Sequence, residues 1–435
     1  MLEARAAVKS LHAYRPPLAG RQGLRLDFNE STIGCSPRVL GRLHSLDAEA
    51  LARYPEREPV EKQVADFLGI DTAQVLLTNG VDEAIHLLCS TYLEPEDEAL
   101  IVVPTFAMYA VFAQAEGARL VQVLAEENFT FPLEGVLSRI GPKTRLIAVA
   151  NPNNPTGAAV ACEVLLQIVR AAPHADVLVD EAYFEFHGET ILNHTPWPTN
   201  LFMARTFSKA YGLAGLRIGI LAGAAEQMAM VRRVASPYNV NAVALALLPE
   251  ALRDQVYVKD YVAEVRRGRA ALEQELKTLG LRYWPSCANF VLVRVGPAHG
   301  EFIQALRAHG ILVRDRHTDP GCEGCVRLTV GSQEHMRTLI AALRDVEGET
   351  IDVSLNGLLV KAQIDVPARS PVNVCLYLDP EMKPLVGSGL VIRILAANRI
   401  GIQLNPLPVT ESGRLQEFLL PLILKQAESR LSGRV

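Results

Sequence analysis

Between about residue 45 and residue 240, short unbroken apolar runs alternate with longer stretches whose apolar positions recur at helical spacing. Residues 146–150 (Leu-Ile-Ala-Val-Ala) and 176–179 (Asp-Val-Leu-Val) are runs of the first kind, and continuous apolar runs of that length read as strands buried on both faces. Residues 78–88 begin as a polar turn around Gly80 and continue as an apolar-periodic helix. Such alternation predicts a mainly parallel sheet flanked by helices.

A second, smaller α/β unit follows. A helical stretch at 262–279 and a strand at 289–293 come first, then two adjacent strands at 310–316 and 326–331 and a closing helix at 335–343. The last 90 or so residues are different in kind: short β-rich runs at 352–358, 372–378, 390–395 and 399–404, then a helix at 415–424. The expected organisation is an N-terminal arm (1–44), a large α/β domain (45–245), a small domain (246–346) and a β-rich extension (347–435). No internal repeat or low-complexity stretch breaks this pattern.

Composition narrows the function. A chain of 435 residues can bury a large core in two or three domains. A formal net charge of −5 argues against a broad nucleic-acid footprint. Seven scattered cysteines make no disulfide framework, and Cys322-Glu323-Gly324-Cys325 lacks a second ligand pair, so no metal site is expected. No apolar run approaches the roughly 20 residues that span a bilayer, and the Arg-rich first 25 residues lack an apolar signal core. A cytoplasmic, soluble protein without membrane or nucleic-acid partners is the expectation.

The chemistry concentrates in a few loops. In the stretch from Arg205 to Gly219, Lys209 stands beside Ser208 and ahead of Arg217. A lysine desolvated in such a setting becomes a nucleophile. Asn151-Pro152-Asn153-Asn154-Pro155-Thr156-Gly157 follows one predicted strand, and Asp180 with Tyr183 ends the next, at the carboxyl ends where α/β sheets bind ligands. Asn154, Asp180, Tyr183, Lys209 and Arg217, in that order, meet separate needs of an aldehyde cofactor with a phosphate and a ring nitrogen.

With these motifs the chain resembles the fold-type-I pyridoxal-phosphate aminotransferases from about Tyr14 to Arg344, and within them is most similar to the histidinol-phosphate aminotransferases. The resemblance implies pyridoxal 5'-phosphate as cofactor and a homodimer. It implies that Lys209 forms the Schiff base and carries protons, that Asp180 faces the pyridine nitrogen, and that Asn154 and Tyr183 bond the phenolic oxygen. The phosphate would meet the turn and helix start at Gly80, Val81 and Asp82, with Thr206, Ser208 and Arg217. Tyr109 matches the ring-stacking aromatic, and Tyr54 the tyrosine sent across the dimer interface. Tyr14, Asn29, Arg314 and Arg327 fall to the substrate side, because guanidinium forks suit phosphates and carboxylates. Arg316 reads instead as a solvated surface residue.

The implied reaction is transamination of L-histidinol phosphate with 2-oxoglutarate, a step of histidine biosynthesis that yields glutamate. An aromatic amino-acid aminotransferase and a threonine-phosphate decarboxylase share nearly all the cofactor residues and stay open as alternatives. The extension is similar to the latter part of a PilZ domain, a small β-barrel that binds cyclic di-GMP. Of that signature only Asp352, Ser354 and Gly357 are present, and no Arg-x-x-x-Arg occurs in the region just before them where the pair should lie. A truncated barrel used for packing is therefore expected over a cyclic-dinucleotide sensor.

Overall fold

A computed structural model describes residues 2–9, 11, 13, 17, 20–193, 196–297, 299–346, 349–354, 357–361, 369–376, 385–395, 399–408, 410–412, 414–416 and 419. Seventeen strands form three sheets among them: β1 (Leu24–Leu26), β2 (Val75–Thr78), β3 (Glu98–Val103), β4 (Arg119–Leu124), β5 (Thr144–Ala150), β6 (Asp176–Asp180), β7 (Leu201–Thr206), β8 (Gly219–Gly223), β9 (Arg282–Trp284), β10 (Phe290–Arg294), β11 (Ile311–Asp315), β12 (Cys325–Thr329), β13 (Glu349–Ser354), β14 (Gly357–Lys361), β15 (Pro371–Leu376), β16 (Leu385–Leu395) and β17 (Arg399–Leu404).

The largest sheet runs β2-β8-β7-β6-β5-β3-β4. Its pairs from β7 through β4 are parallel, and β8 is antiparallel to both of its neighbours. Both faces are covered. Along β5, Leu146, Ala148 and Ala150 join one apolar core while Ile147 and Val149 join the other, which is why this strand is apolar without alternation. Parallel pairing brings the tips of β5, β6 and β7 to one edge, with Ala150 beside Asp180 and Asp180 beside Ala204. Gly219 at the start of β8 lies opposite both Thr206 and Thr78. Four loops thereby converge at this edge.

The second sheet, β1-β11-β12-β10-β9, takes its first strand from the arm, with Leu24 paired to Ile311 in parallel register. Across β11 and β12 Arg314 lies directly opposite Arg327. The arm, expected to pack with the small domain, also touches the large one: the Arg5 guanidinium donates to the Ala115 carbonyl at 2.8 Å, while Arg38 on the Pro37–His44 helix reaches Glu250. The extension forms an antiparallel sheet, β13-β14-β17-β16-β15, that begins three residues earlier than the apolar pattern suggests. Most of the helix expected at 415–424 lies outside the described residues.

Glu61 is the buried charge that seats β2. Its side chain is 1% exposed, accepts from the Arg232 guanidinium and the Leu77 amide, each at 3.0 Å, and is ion-paired with Arg57 at 3.0 Å. Removing one partner of a buried pair strands the others. Glu61→Ala should lower unfolding free energy by about 3–5 kcal/mol, measured as a fall in the urea midpoint. A change within experimental error would make the cluster incidental to the fold.

Candidate active site

Lys209 follows β7 and points its amine at the arm, donating from Nζ to the Phe28 carbonyl at 2.9 Å. Burial and the nearby Arg327 cation lower its pKa from 10.5 to about 8. About a tenth of this amine is therefore neutral at pH 7, far more than for an ordinary lysine. Asp180, at the tip of β6, is 4% exposed. Its Oδ1 accepts from the Ala182 amide at 3.0 Å and its Oδ2 from the Tyr109 phenol at 2.5 Å. Burial pushes its carboxyl up to about 6 against the pull of these two hydrogen bonds.

Tyr183 is buried, with its hydroxyl accepting from Asn29 Nδ2 at 2.9 Å and its ring edge-on to Phe290 at 5.1 Å. Its pKa is raised by burial, and the Arg327 cation works in the opposite sense. Arg327 reaches both Asn154 Oδ1 and, at 2.7 Å, the carbonyl of Asp27, while its guanidinium carbon lies 5.3 Å from the Phe290 ring centre. Arg314 and Arg21 lie over the Phe28 ring, at 5.1 and 4.3 Å.

At the other end of the cleft, Gly80 has φ +77° and caps the Val81–Tyr92 helix. A Cβ there would sit 2.7 Å from an Arg217 nitrogen, and one on Gly219 would sit 3.0 Å from the Gly80 carbonyl carbon. Only glycine lets the β8 backbone, the helix start and the guanidinium approach so closely. The Thr206 hydroxyl donates to Ser208 Oγ at 2.9 Å, and Arg217 pairs with Asp82 at 3.0 Å. A cleft of about 570 Å³ opens beside Ser208, between Arg25 and Glu30 of the arm and His335 of the last enzyme helix.

The family "Aminotransferase class I and II" matches residues 21–343. The chain belongs to the class I and II aminotransferases. It is 34% identical to histidinol-phosphate aminotransferase 1 of Nostoc sp. over 79% of this chain and 97% of that one. It is 36% identical to the histidinol-phosphate aminotransferase of Paracoccus denitrificans over 72% and 86%. The crystal structure of the Sinorhizobium meliloti histidinol-phosphate aminotransferase in complex with pyridoxal-5'-phosphate superposes with TM-score 0.72 at 25% identity, covering 79% of this chain and 97% of that one. The PilZ family matches residues 320–420. Its first part overlaps the aminotransferase, where β12 and the Gln333–Val346 helix belong structurally to the enzyme.

Pyridoxal phosphate is the aminotransferase cofactor, and the residues present suit it. The glycine-lined helix start with Arg217 is a cradle for a dianion. The weakly basic Lys209 amine suits an aldehyde, and the Asp180 carboxylate suits a protonated ring nitrogen. The structure also alters several expectations. Asn29, expected on the substrate side, donates from Nδ2 to Tyr183 and accepts at Oδ1 from the Thr329 hydroxyl, so it also orients Tyr183. Tyr109 gains a bond to Asp180 beyond the stacking expected of it. Arg316 is not a solvated surface residue: it is paired with Asp319 and its side chain is 15% exposed, because the turn after β11 folds back over it. Tyr14 lies outside the described residues. Phe28 and Arg21 were missed, although the Arg-rich start of the chain was a signal for the second.

Tyr109→Phe keeps the ring and removes the donor to Asp180. The Asp180 pKa already stands at about 6, so its proton is held more tightly in the fold than in the unfolded chain, and stability falls as pH rises from the ordinary carboxyl value of about 4 to about 6 and is level above that. Loss of the phenol should raise it further, moving the acidic limb of the kcat profile to higher pH. An unmoved limb in that variant would show that the hydrogen bond does not govern the carboxylate.

Proposed function

We propose that this enzyme transfers the amino group of L-histidinol phosphate to 2-oxoglutarate, giving imidazole acetol phosphate and L-glutamate in histidine biosynthesis. The observation that carries the substrate is the facing pair Arg314 and Arg327 on β11 and β12, two guanidiniums at the small-domain side of the cleft. Two adjacent forks suit the phosphate of one substrate and, in the second half-reaction, a carboxylate of the other. The similarity to histidinol-phosphate aminotransferases over most of the chain supports the same reading.

Pyridoxal phosphate, when bound, supplies the aldehyde that captures the amine and the ring that takes up the electron pair left by the α-proton. The chain does the rest. Lys209 Nζ, placed at the Phe28 carbonyl, would take the proton from the substrate carbon and release it two atoms away, beyond the shared nitrogen. Asp180 keeps the ring nitrogen protonated, aimed by the Ala182 amide and the Tyr109 phenol. Tyr183 receives a hydrogen bond from Asn29, so its own proton is directed onward to the phenolic oxygen. Asn154 Oδ1 is engaged by Arg327, which leaves its NH2 to donate to the same oxygen. The amides of Val81 and Asp82, the hydroxyls of Thr206 and Ser208, and Arg217 would hold the phosphate.

The same reading makes the active species a cytoplasmic homodimer. Tyr54 is 80% exposed and stacked on Tyr238, whose ring centre is 4.4 Å away and which is itself 57% exposed, and Leu40, Leu43 and Leu51 are exposed in the same stretch of chain. A second copy would cover these residues and bring its Tyr54 to the phosphate. No helix among the described residues is long and apolar enough to cross a membrane. For the extension we favour packing over cyclic di-GMP binding, since the arginine pair is missing.

Lys209→Ala should abolish the absorbance of the protein-bound cofactor and lower turnover by several orders of magnitude, since nucleophile and proton carrier are lost together. Near-normal turnover would end the assignment. Arg314→Ala should cost about 2–5 kcal/mol in kcat/KM with histidinol phosphate and far less with histidinol or phenylalanine. Equal losses across the three would favour an aromatic aminotransferase, and release of carbon dioxide from threonine phosphate would favour the decarboxylase. Calorimetric titration of the full chain with cyclic di-GMP should give no saturable heat at micromolar concentrations.

A further inference from the structure

Cys322 and Cys325 have no part in the transamination. They occupy the first and fourth positions of a turn between β11 and β12, closed by the Cys325 amide donating to the Cys322 carbonyl at 2.8 Å. A closed turn of this kind holds its end Cα atoms within about 7 Å, and a disulfide needs roughly 4.4–6.8 Å. Gly324, third in the turn, has φ +71°, and a Cβ there would lie 2.6 Å from the Gly296 backbone. Its carbonyl accepts from the Val295 and Gly296 amides at 2.8 and 3.0 Å. The turn is thus wedged against the end of β10, and the two cysteines keep one relative orientation.

Both are free thiols, fully buried, in one apolar cluster with Trp284 and Leu292 against which Phe129 packs. Gly321 and Glu323, their immediate neighbours, are exposed, so the pair lies one residue beneath the surface. Each thiol acts on the other, which holds Cys325 below and Cys322 above the ordinary cysteine range, and the Cys325 Sγ lies 4.0 Å from the Glu323 carbonyl. A metal does not account for them. Among the described residues no three His, Cys, Asp or Glu side chains are grouped for one, and the Nδ1 of nearby His317 already accepts from the Gly324 amide at 2.9 Å.

The position also matters for the enzyme. Phe129 belongs to the large domain and has φ +61°, a conformation rare for an aromatic residue. Its ring meets Trp284 of the small domain at 4.8 Å and 60°. Arg282 lies over the same Trp284 ring and donates to Asn128 at 2.9 Å. The sulfurs therefore sit beneath a contact between the two domains, and Cys325 is two residues from Arg327 on the same strand.

We propose that Cys322 and Cys325 are a redox-active dithiol that closes to a disulfide within the folded enzyme when a peroxide is the oxidant. The Cys325 thiolate attacks one peroxide oxygen, the O–O bond breaks, and water leaves once the second oxygen takes up a proton, giving a sulfenic acid. The Cys322 sulfur then displaces that hydroxyl as a second water and forms the S–S bond. Two thiols lose two electrons and two protons, and one peroxide becomes two waters. A dithiol reductant reverses the step by exchange. The proposal stands apart from the substrate assignment and would survive its failure.

The holoenzyme, exposed to hydrogen peroxide and then denatured, alkylated and digested with trypsin, should yield residues 317–327 as a peptide lighter by two hydrogens and without alkyl groups. Dithiothreitol before alkylation should restore two alkylated cysteines. In the Trp197→Phe variant, where Trp284 is the remaining tryptophan, emission should fall on oxidation and recover on reduction, and Cys322→Ser should remove that response. Full alkylation of both cysteines after peroxide would overturn the proposal. So would sulfinic acid in place of the disulfide, or a disulfide that forms only with a cysteine of another peptide.

Discussion

One guanidinium ties this active site together. Arg327, on a central strand of the small sheet, reaches the carbonyl of Asp27 in the arm and the side chain of Asn154 in a large-domain loop, with Phe290 beneath it. Three separate parts of the chain are thereby held in one geometry by a single buried cation. The same charge acts at a distance, helping to lower the Lys209 pKa and opposing the rise at Tyr183. A buried charge is costly unless its donors are used, so the site it organises has little freedom to drift. That constraint makes Arg327 structural before any substrate arrives.

Around this centre the fold separates two electrostatic tasks. The large domain supplies fixed dipoles and a carboxylate: a glycine-capped helix start suited to a phosphate and the Asp180 tip suited to a protonated ring nitrogen. The small domain and arm supply cations, with Arg314 and Arg21 over Phe28 and Arg327 beyond. Phe28 links the two tasks, since its ring carries the arginines while its carbonyl holds Lys209 Nζ. The cleft is bipolar because its walls come from different domains, and any relative movement of the domains changes the distance between cofactor chemistry and substrate charge. The Phe129–Trp284 contact, with the cysteine pair below it, lies on that same boundary.

The extension adds a sheet whose outer strands, β13 and β15, each pair on one side only among the described residues. Unpaired edges invite pairing with other chains unless they are covered. The PilZ match starts inside the enzyme, at a loop and strand that the aminotransferase needs for Arg327. Residues 320–346 thus serve the small domain first, and the part of the match that can form a separate sheet begins after the Gln333–Val346 helix.

Much of this was legible along the chain, for identifiable reasons. Strands β5 and β6 announced themselves because burial on both faces demands unbroken apolar runs. Lys209, Asp180, Tyr183 and Arg217 stood out because loops at strand ends carry polar side chains that the core would not tolerate. The facing of Arg314 and Arg327 was half visible, as two strands each with an arginine, but their register depends on pairing that no local pattern encodes. Phe28 gave no signal, since its contribution is a backbone carbonyl, and every residue has one. Arg316 was misread for a related reason: its exposure depends on how the following turn folds back, not on its charge. Asn29 and Tyr183, 154 positions apart, meet only because the arm crosses from one domain to the other. Local periodicity dictates elements, and the chemistry of side chains suggests a cofactor. Which groups touch, and hence what pKa and orientation each one has, follows from long-range burial and pairing, whose energies are set by neighbours far away in the chain.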